Sequence, residues 1–181
     1  GEKIKVTPLA FIAKALVSTL KEFPNFNASI DVNSNKITYK KYFHIGFAVD
    51  TPHGLMVPKI RNVDQMSIQK IGEELKKTSK LCRELKIDKK EFFGGSITIS
   101  SLGGIGGTHF TPIINPPEVA ILGVGKNFDR LVKENGKIVS RKILPVSLSY
   151  DHRIIDGAEG ARFCVYLGKC LGKDFAFKLA V

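Results

Sequence analysis

The run at residues 118–125, EVAILGVG, is almost continuously apolar over the length of one strand. Such a run reads as a buried strand, so the rest of the chain has to supply cover. Segments of helical period offer it. Thr7-Pro8 followed by Leu9, Ile12, Ala13, Leu16, Val17, Leu20 and Phe23 has the spacing of an amphipathic helix. Thr7 is its N-cap, Pro8 sits in the first turn, and Pro24 stops it. Ser67 caps a second helix with Ile68, Ile71, Leu75, Leu81 and Leu85 on its apolar stripe and Lys and Glu outside. A third is expected over residues 158–171, with Ala161, Val165 and Gly168 among its inward positions.

Between the helices lie strand signals. Short strands are expected at 36–39 and 43–50, after an Asn-rich turn, and an extended segment at 54–60, where Pro58 indicates an edge or irregular pairing. Asp88 and Glu91 stand three apart, as in a capping box, and predict a short helical turn before Phe92. The segment SITIS at 96–100 is a strand running into the glycine cluster LGGIGG, and 137–150 reads as a hairpin arm after the Asn135-Gly136 turn. Strands interleaved with three helices predict one mixed α/β or α+β domain, with long antiparallel strands beneath the helices. A length of 181 residues, 43% hydrophobic and 25% charged, fits a single soluble domain. No run approaches the ~18 apolar residues of a membrane span, and the opening GEKIKVTPLAF is too short and polar for a signal peptide. Cys82, Cys164 and Cys170 form no CxxC pair and no zinc spacing, which predicts a reducing compartment. The ending DFAFKLAV is either the last piece of core or a docking contact for another subunit.

A net charge of +11 allows an anionic partner without choosing one. The lysines are spread along the chain and no RNA-binding sheet signature appears, which disfavours nucleic acid. Gly103, Gly104, Gly106 and Gly107 do not fit GxGxxG, and no Gly-Lys-Ser/Thr follows. The cluster is either a tight turn or a place where a ligand or a neighbouring chain approaches the backbone closely. His44, His53, His109 and His152 lack partners at ligand spacing, so no metal is expected. No pair of facing carboxylates is singled out for glycosidase chemistry. His152 remains, in SYDHRIIDG, at the junction of a strand and a glycine-started helix, where side chains often project into a cleft. Asp156 is close enough to brace the turn, directly or by holding Arg153. A histidine fixed in this way can serve as a general base near neutral pH.

The segment SYDHRIIDGAEGARF resembles the HRxxDG signature of the dihydrolipoamide acyltransferases, the catalytic cores of the 2-oxo acid dehydrogenase complexes. GGSITISSLGGIGGTHFTPIINPPEVAILGVG is similar to a second block of that family, and KEFPNFNASID and YFHIGFAVDTPHGLMVPKIRNVD resemble two more. The likeness runs in order along practically the whole chain. It implies acyl transfer between the thiol of a protein-bound dihydrolipoyl arm and that of coenzyme A, with no metal. By that resemblance His152 is the base, and the Ser100 hydroxyl is the oxyanion donor. Asp156 supports the histidine loop. Ser101 stands where many relatives carry an asparagine and, with Asn115 of IINPP, is assigned to substrate binding.

The implied fold is a two-layer α/β sandwich like that of chloramphenicol acetyltransferase, a mixed sheet with helices on one face. It trimerises with His152 facing Ser100 of a neighbouring chain. The trimers are expected to build a cubic or icosahedral core, with FAFKLAV a candidate second contact. Residues 1–181 are expected to be an acyltransferase catalytic domain that is incomplete at its N-terminus, without lipoyl and peripheral-subunit-binding domains. The expected partners are a lipoyl domain, a 2-oxo acid decarboxylase and dihydrolipoamide dehydrogenase, with no nucleic acid and no membrane. The expected compartment is cytoplasmic, or the mitochondrial matrix in a eukaryote. An assembly scaffold without activity and an antibiotic acetyltransferase of the chloramphenicol type are the alternatives.

Overall fold

The structure is a computed structural model in which residues 7–172 are described. The ending DFAFKLAV, expected as core or as a docking contact, lies outside them. Helix α1 (Pro8–Glu22) starts where the Thr7-Pro8 signal places it and buries Ile12, Ala13, Leu16, Val17 and Leu20. A 3-10 turn at Pro24–Asn27 leads into the hairpin β1 (Ala28–Asp31) and β2 (Lys36–Tyr39). The strand expected at 43–50 divides into β3 (Ile45–Phe47), which joins the main sheet, and β4 (Val49–Thr51). The next segment divides too, into β5 (Gly54–Met56), paired with β4, and β6 (Lys59–Ile60), paired with β3. Pro58 stands in the break, where it has no N–H for a ladder, and its carbonyl accepts from Phe47 N.

Helix α2 (Ile68–Arg83) begins at Ser67, whose hydroxyl accepts from Lys70 N. It ends earlier than its apolar stripe suggests: Leu85 has φ of 54° and is exposed. Strands β7 (Ile97–Ser101) and β8 (Ala120–Val124) follow, and every residue of β8 is buried, as its unbroken apolar run predicts. The expected arm at 137–150 is two strands. The hairpin β9 (Phe128–Glu134) and β10 (Lys137–Ile143) turns at Asn135-Gly136, both with positive φ, and β11 (Val146–Tyr150) then enters the main sheet. Helix α3 (Gly157–Cys170) closes the described chain.

The main sheet runs β11-β8-β7-β3-β6. Its outer pairs are antiparallel, but β3–β7 and β7–β8 are parallel, so the sheet is mixed and the expectation of an antiparallel layer fails at its centre. Parallel neighbours require long returns. Here they are the stretch containing α2, and the loop between Ser101 and Ala120.

Alternation along the strands sorts the residues onto two faces. Ile45, Phe47, Ile97, Ile99, Ala120, Leu122 and Val124 form the core with all three helices, and each large apolar side chain buried there is worth about 1.5–3 kcal/mol. Helix α3 packs through Gly160, Phe163 and Leu167, not through the expected Ala161, Val165 and Gly168, which are exposed. Phe163 decides the phase, because its ring stacks on Phe26 at 4.0 Å. The opposite face of the sheet carries Gly46, Lys59, Thr98, Ser100, Ile121, Gly123, Ser147 and Ser149. The long loop folds back across it, and a Cβ at Gly123 would stand 2.9 Å from the Phe110 ring.

Candidate active site

The His152 turn is built from its backbone upward. Asp151 N donates to Val119 O at 2.8 Å, and Ile154 N and Ile155 N both donate to Asp151 O at 3.1 Å. Ile155 is fully buried beneath the turn, while His152 and Arg153 stand exposed above it. The Asp151 carboxylate accepts from Arg153 Nε at 2.9 Å and Nη2 at 2.5 Å, and this guanidinium holds it below the usual carboxylate range. Arg153 is therefore braced by Asp151 and not by Asp156. Asp156 secures the other end of the turn, where its carboxylate accepts from Glu159 N at 2.7 Å and caps α3. The His152 ring lies 5.8 Å from that of Tyr150, the last residue of β11. The result is an accessible imidazole on a backbone fixed from both sides, which suits a base for a substrate brought from outside.

Ser100 and Ser101 point to opposite faces of β7. Ser100 shares the helix-distal face with Thr98, opposite Gly123, whereas Ser101 faces the start of α1 and lines a cavity of about 260 Å³ with Thr7, Pro8 and Leu9. The register also places Ser100 far from His152 of the same chain. Ser100 lies across from Gly123 and hence Ser147, three residues before Tyr150 and two strands away, a separation of about 14 Å before His152 is reached. One chain does not bring the two together. Asn115 is at the histidine end, since residues 115–119 run into Ala120, the partner of Tyr150. Its carbonyl accepts from Glu118 N at 3.1 Å around the cis Pro116-Pro117 bond.

Beneath these residues is a polar cluster that sequence reasoning missed. Lys59 and Glu118 form an ion pair with side chains 1% and 2% exposed, and Thr98 Oγ1 donates to Glu118 Oε2 at 2.6 Å. Lys40 is close by, its Nζ donating to Gly95 O at 2.7 Å, and burial lowers its pKa. The available signal was a glutamate heading a buried strand and a lysine between Pro58 and Ile60. Among the described residues no three His, Cys, Asp or Glu side chains gather to hold a metal ion. Among them, too, no helix is long and apolar enough to cross a membrane.

The fold has close counterparts. The chain is 53% identical over 172 residues to the dihydrolipoyllysine-residue acetyltransferase component of the pyruvate dehydrogenase complex of Cupriavidus necator. That match covers 95% of this chain and 31% of the relative, so the chain spans about a third of such a protein. The cubic core of the pyruvate dehydrogenase multienzyme complex superposes with a TM-score of 0.92 at 49% identity, over 97% of this chain and 72% of that one. The Azotobacter vinelandii dihydrolipoamide acetyltransferase does so with 0.92 at 50% identity and the same coverage. That enzyme was investigated for the role of a serine, a histidine and an asparagine in its catalytic mechanism. Chloramphenicol acetyltransferase shares the fold alone, with a TM-score of 0.58 at 15% identity over 91% of this chain and 77% of that one. Residues 1–176 match the model of the 2-oxoacid dehydrogenases acyltransferase catalytic domain, and the chain belongs to that family.

Proposed function

We propose that this chain transfers an acyl group between the thiol of a dihydrolipoyl group and the thiol of coenzyme A. The observation that carries the reading is a spacing. In the Azotobacter enzyme the histidine under study follows the serine by 52 residues and the asparagine follows the histidine by four. Ser100, His152 and Asp156 repeat both intervals, with aspartate in the asparagine's place.

His152 takes the proton of the attacking thiol, and the thiolate adds to the thioester carbonyl. The Ser100 hydroxyl donates to the resulting oxyanion. Collapse expels the other thiolate, which recovers the proton from the imidazolium. No covalent enzyme intermediate is needed, because the two thiols meet at one base. Asp156 acts through the cap that fixes the turn, and Asn115, at the same end of the sheet, lies where it can orient a substrate. Ser101 lies on the other face of β7 and is left with no part in the reaction. Acetyl is the group carried, in keeping with the relatives' names, and no metal takes part.

Ser100 and His152 of one chain lie at opposite ends of β8, so each site is shared between copies, as in a trimer. The trimers assemble into a larger core of the cubic kind in the cytoplasm. A lipoyl domain delivers the arm, and a 2-oxo acid decarboxylase and dihydrolipoamide dehydrogenase work alongside. Residues 1–181 are the catalytic part of that longer protein.

Subunit mixing tests the reading. His152→Ala is expected to lower acetyl transfer from acetyl-CoA to dihydrolipoamide by about 10²–10⁴, and Ser100→Ala by about 10²–10³. Co-expressed in equal amounts, the two variants should recover about a quarter of wild-type activity, because that share of shared sites pairs an intact histidine with an intact serine. Full activity of His152→Ala would overturn the base, and no recovery on mixing would overturn the shared site.

A further inference from the structure

The proposed chemistry leaves the buried cluster at Lys59 and Glu118 without a role, yet the fold is cut to fit it. A Cβ at Gly46 would stand 2.6 Å from Lys59 Nζ, and one at Gly95 would stand 2.8 Å from Lys59 Cε. Lys59 Nζ also donates to Thr98 Oγ1 at 3.3 Å. A buried ion pair is weak evidence of stabilisation, because well-packed apolar side chains of similar volume often serve as well or better. What the pair does have is direction, since the carboxylate accepts from two donors on two different strands.

Those bonds tie together the parts of the candidate site. Thr98 precedes Ser100 by two residues on the same face of β7. Glu118 N closes the turn on Asn115 O, and Val119 O holds Asp151 N at the base of the His152 turn. Residues 115–119 thus carry Asn115, support the histidine, and are pinned by the Glu118 carboxylate to the strand that presents Ser100. We propose that Glu118, held by Lys59, is a positioning residue that sets the histidine end of the site relative to the serine end. The proposal rests on the acyl-transfer reading, and every copy in a symmetric assembly would repeat the same displacement if the link were cut.

Two variants of the full-length protein test it. Thr98→Val leaves the ion pair in place and removes the two hydrogen bonds that tie it to β7. The triple variant Lys59→Met, Glu118→Leu and Thr98→Val removes both charges without leaving the Thr98 hydroxyl buried and unpaired, and is expected to melt close to the wild type. In both, kcat is expected to fall about 10- to 100-fold, as for a displacement of about 1 Å at the reacting groups, while KM for acetyl-CoA stays near the wild-type value. Hydrogen exchange at the Asp151 amide is expected to be about tenfold faster in both variants, while core amides of β8 are unchanged. Wild-type kcat in either variant, or wild-type exchange at Asp151, would overturn the positioning role. A wild-type protein without turnover overturns the acyl-transfer reading instead, and the exchange measurement then decides the positioning role alone.

Discussion

Replacing Gly160 with alanine should destabilise this protein, although the same change inside a helix ordinarily stabilises by about 1 kcal/mol. Gly160 lies in α3 against the ring of Tyr150, and an alanine methyl would stand 2.8 Å from Cε1 and 3.0 Å from Cζ. The ring has little room to retreat. Its neighbours are the Phe26 ring at 6.2 Å and the His152 ring at 5.8 Å, and Phe26 is fully buried. Overpacking of this kind costs about 1–3 kcal/mol, which leaves a net loss of about 1 kcal/mol after the helix gain. In a domain of this size that lowers the melting midpoint by about 2–4 °C. Gly168 is the control: it lies in the same helix and, among the described residues, nothing is within 4 Å of its would-be Cβ, so Gly168→Ala should raise the midpoint. Thermal melting by circular dichroism reads both, and acetyl transfer by Gly160→Ala should fall as the ring pushes on the His152 turn. A rise in midpoint for both variants would refute the reasoning, because it would mean that Tyr150 yields freely.

Asp156→Ala removes the side chain that caps α3 and should cost about 0.5–2 kcal/mol, whereas Asp156→Asn, an equally good cap, should melt like the wild type. Equal midpoints for the alanine and asparagine variants would show that the cap carries no stability. His44 should make stability fall with acid. It is buried, its Nδ1 accepts from Asn62 N at 3.1 Å, and burial, then the charge of Arg61, push its pKa below the ordinary histidine value, against weaker opposing effects of the Phe43 backbone, Asp64 and Glu91. A depressed histidine pKa means that the folded state resists the proton. Its contribution is present above the unfolded value of about 6.5 and is lost as pH falls through the folded one. Between about pH 7.5 and 5.5 the midpoint should therefore drop further in the wild type than in His44→Asn, whose Oδ1 can still accept from Asn62 N. Parallel slopes would exclude His44 as the source.

Local chemistry carried much of the fold into the sequence. The Thr7-Pro8 start, the Ser67 cap and the unbroken run of β8 each depend on neighbours a few residues away, and each is found where it was read. Helix α3 was misread because its alanines and glycines fit more than one face, and the choice is made by Phe26, more than a hundred residues earlier. Parallel pairing at the sheet centre is not legible in the local pattern, since it follows from where two long connections return the chain, and it was the resemblance that implied the mixed sheet found here. The HRxxDG signature located His152, but the brace on Arg153 comes from Asp151, and only the folded turn distinguishes the two aspartates. Glu118 carries no local signal of its role, because its partner, Lys59, is 59 residues away.

Strand register also bears on how the site is completed. Ser100 and Ser101 are adjacent in sequence, yet a one-residue step turns them to opposite sides of β7, so one copy cannot turn both hydroxyls toward the same face of the sheet. Ser100 shares its face with the polar row formed by Ser147 and Ser149, whereas Ser101 opens toward α1. The His152 turn leaves the sheet at the end of β8 opposite to the one Ser100 occupies, and β8, the strand between β7 and β11, is buried and continuous. Bringing that histidine to that serine inside one chain would require dismantling β8, a strand buried along its whole length. A second copy costs no such rearrangement, because it presents its own histidine end intact. A strand on which the core depends thus keeps the two side chains apart within one chain.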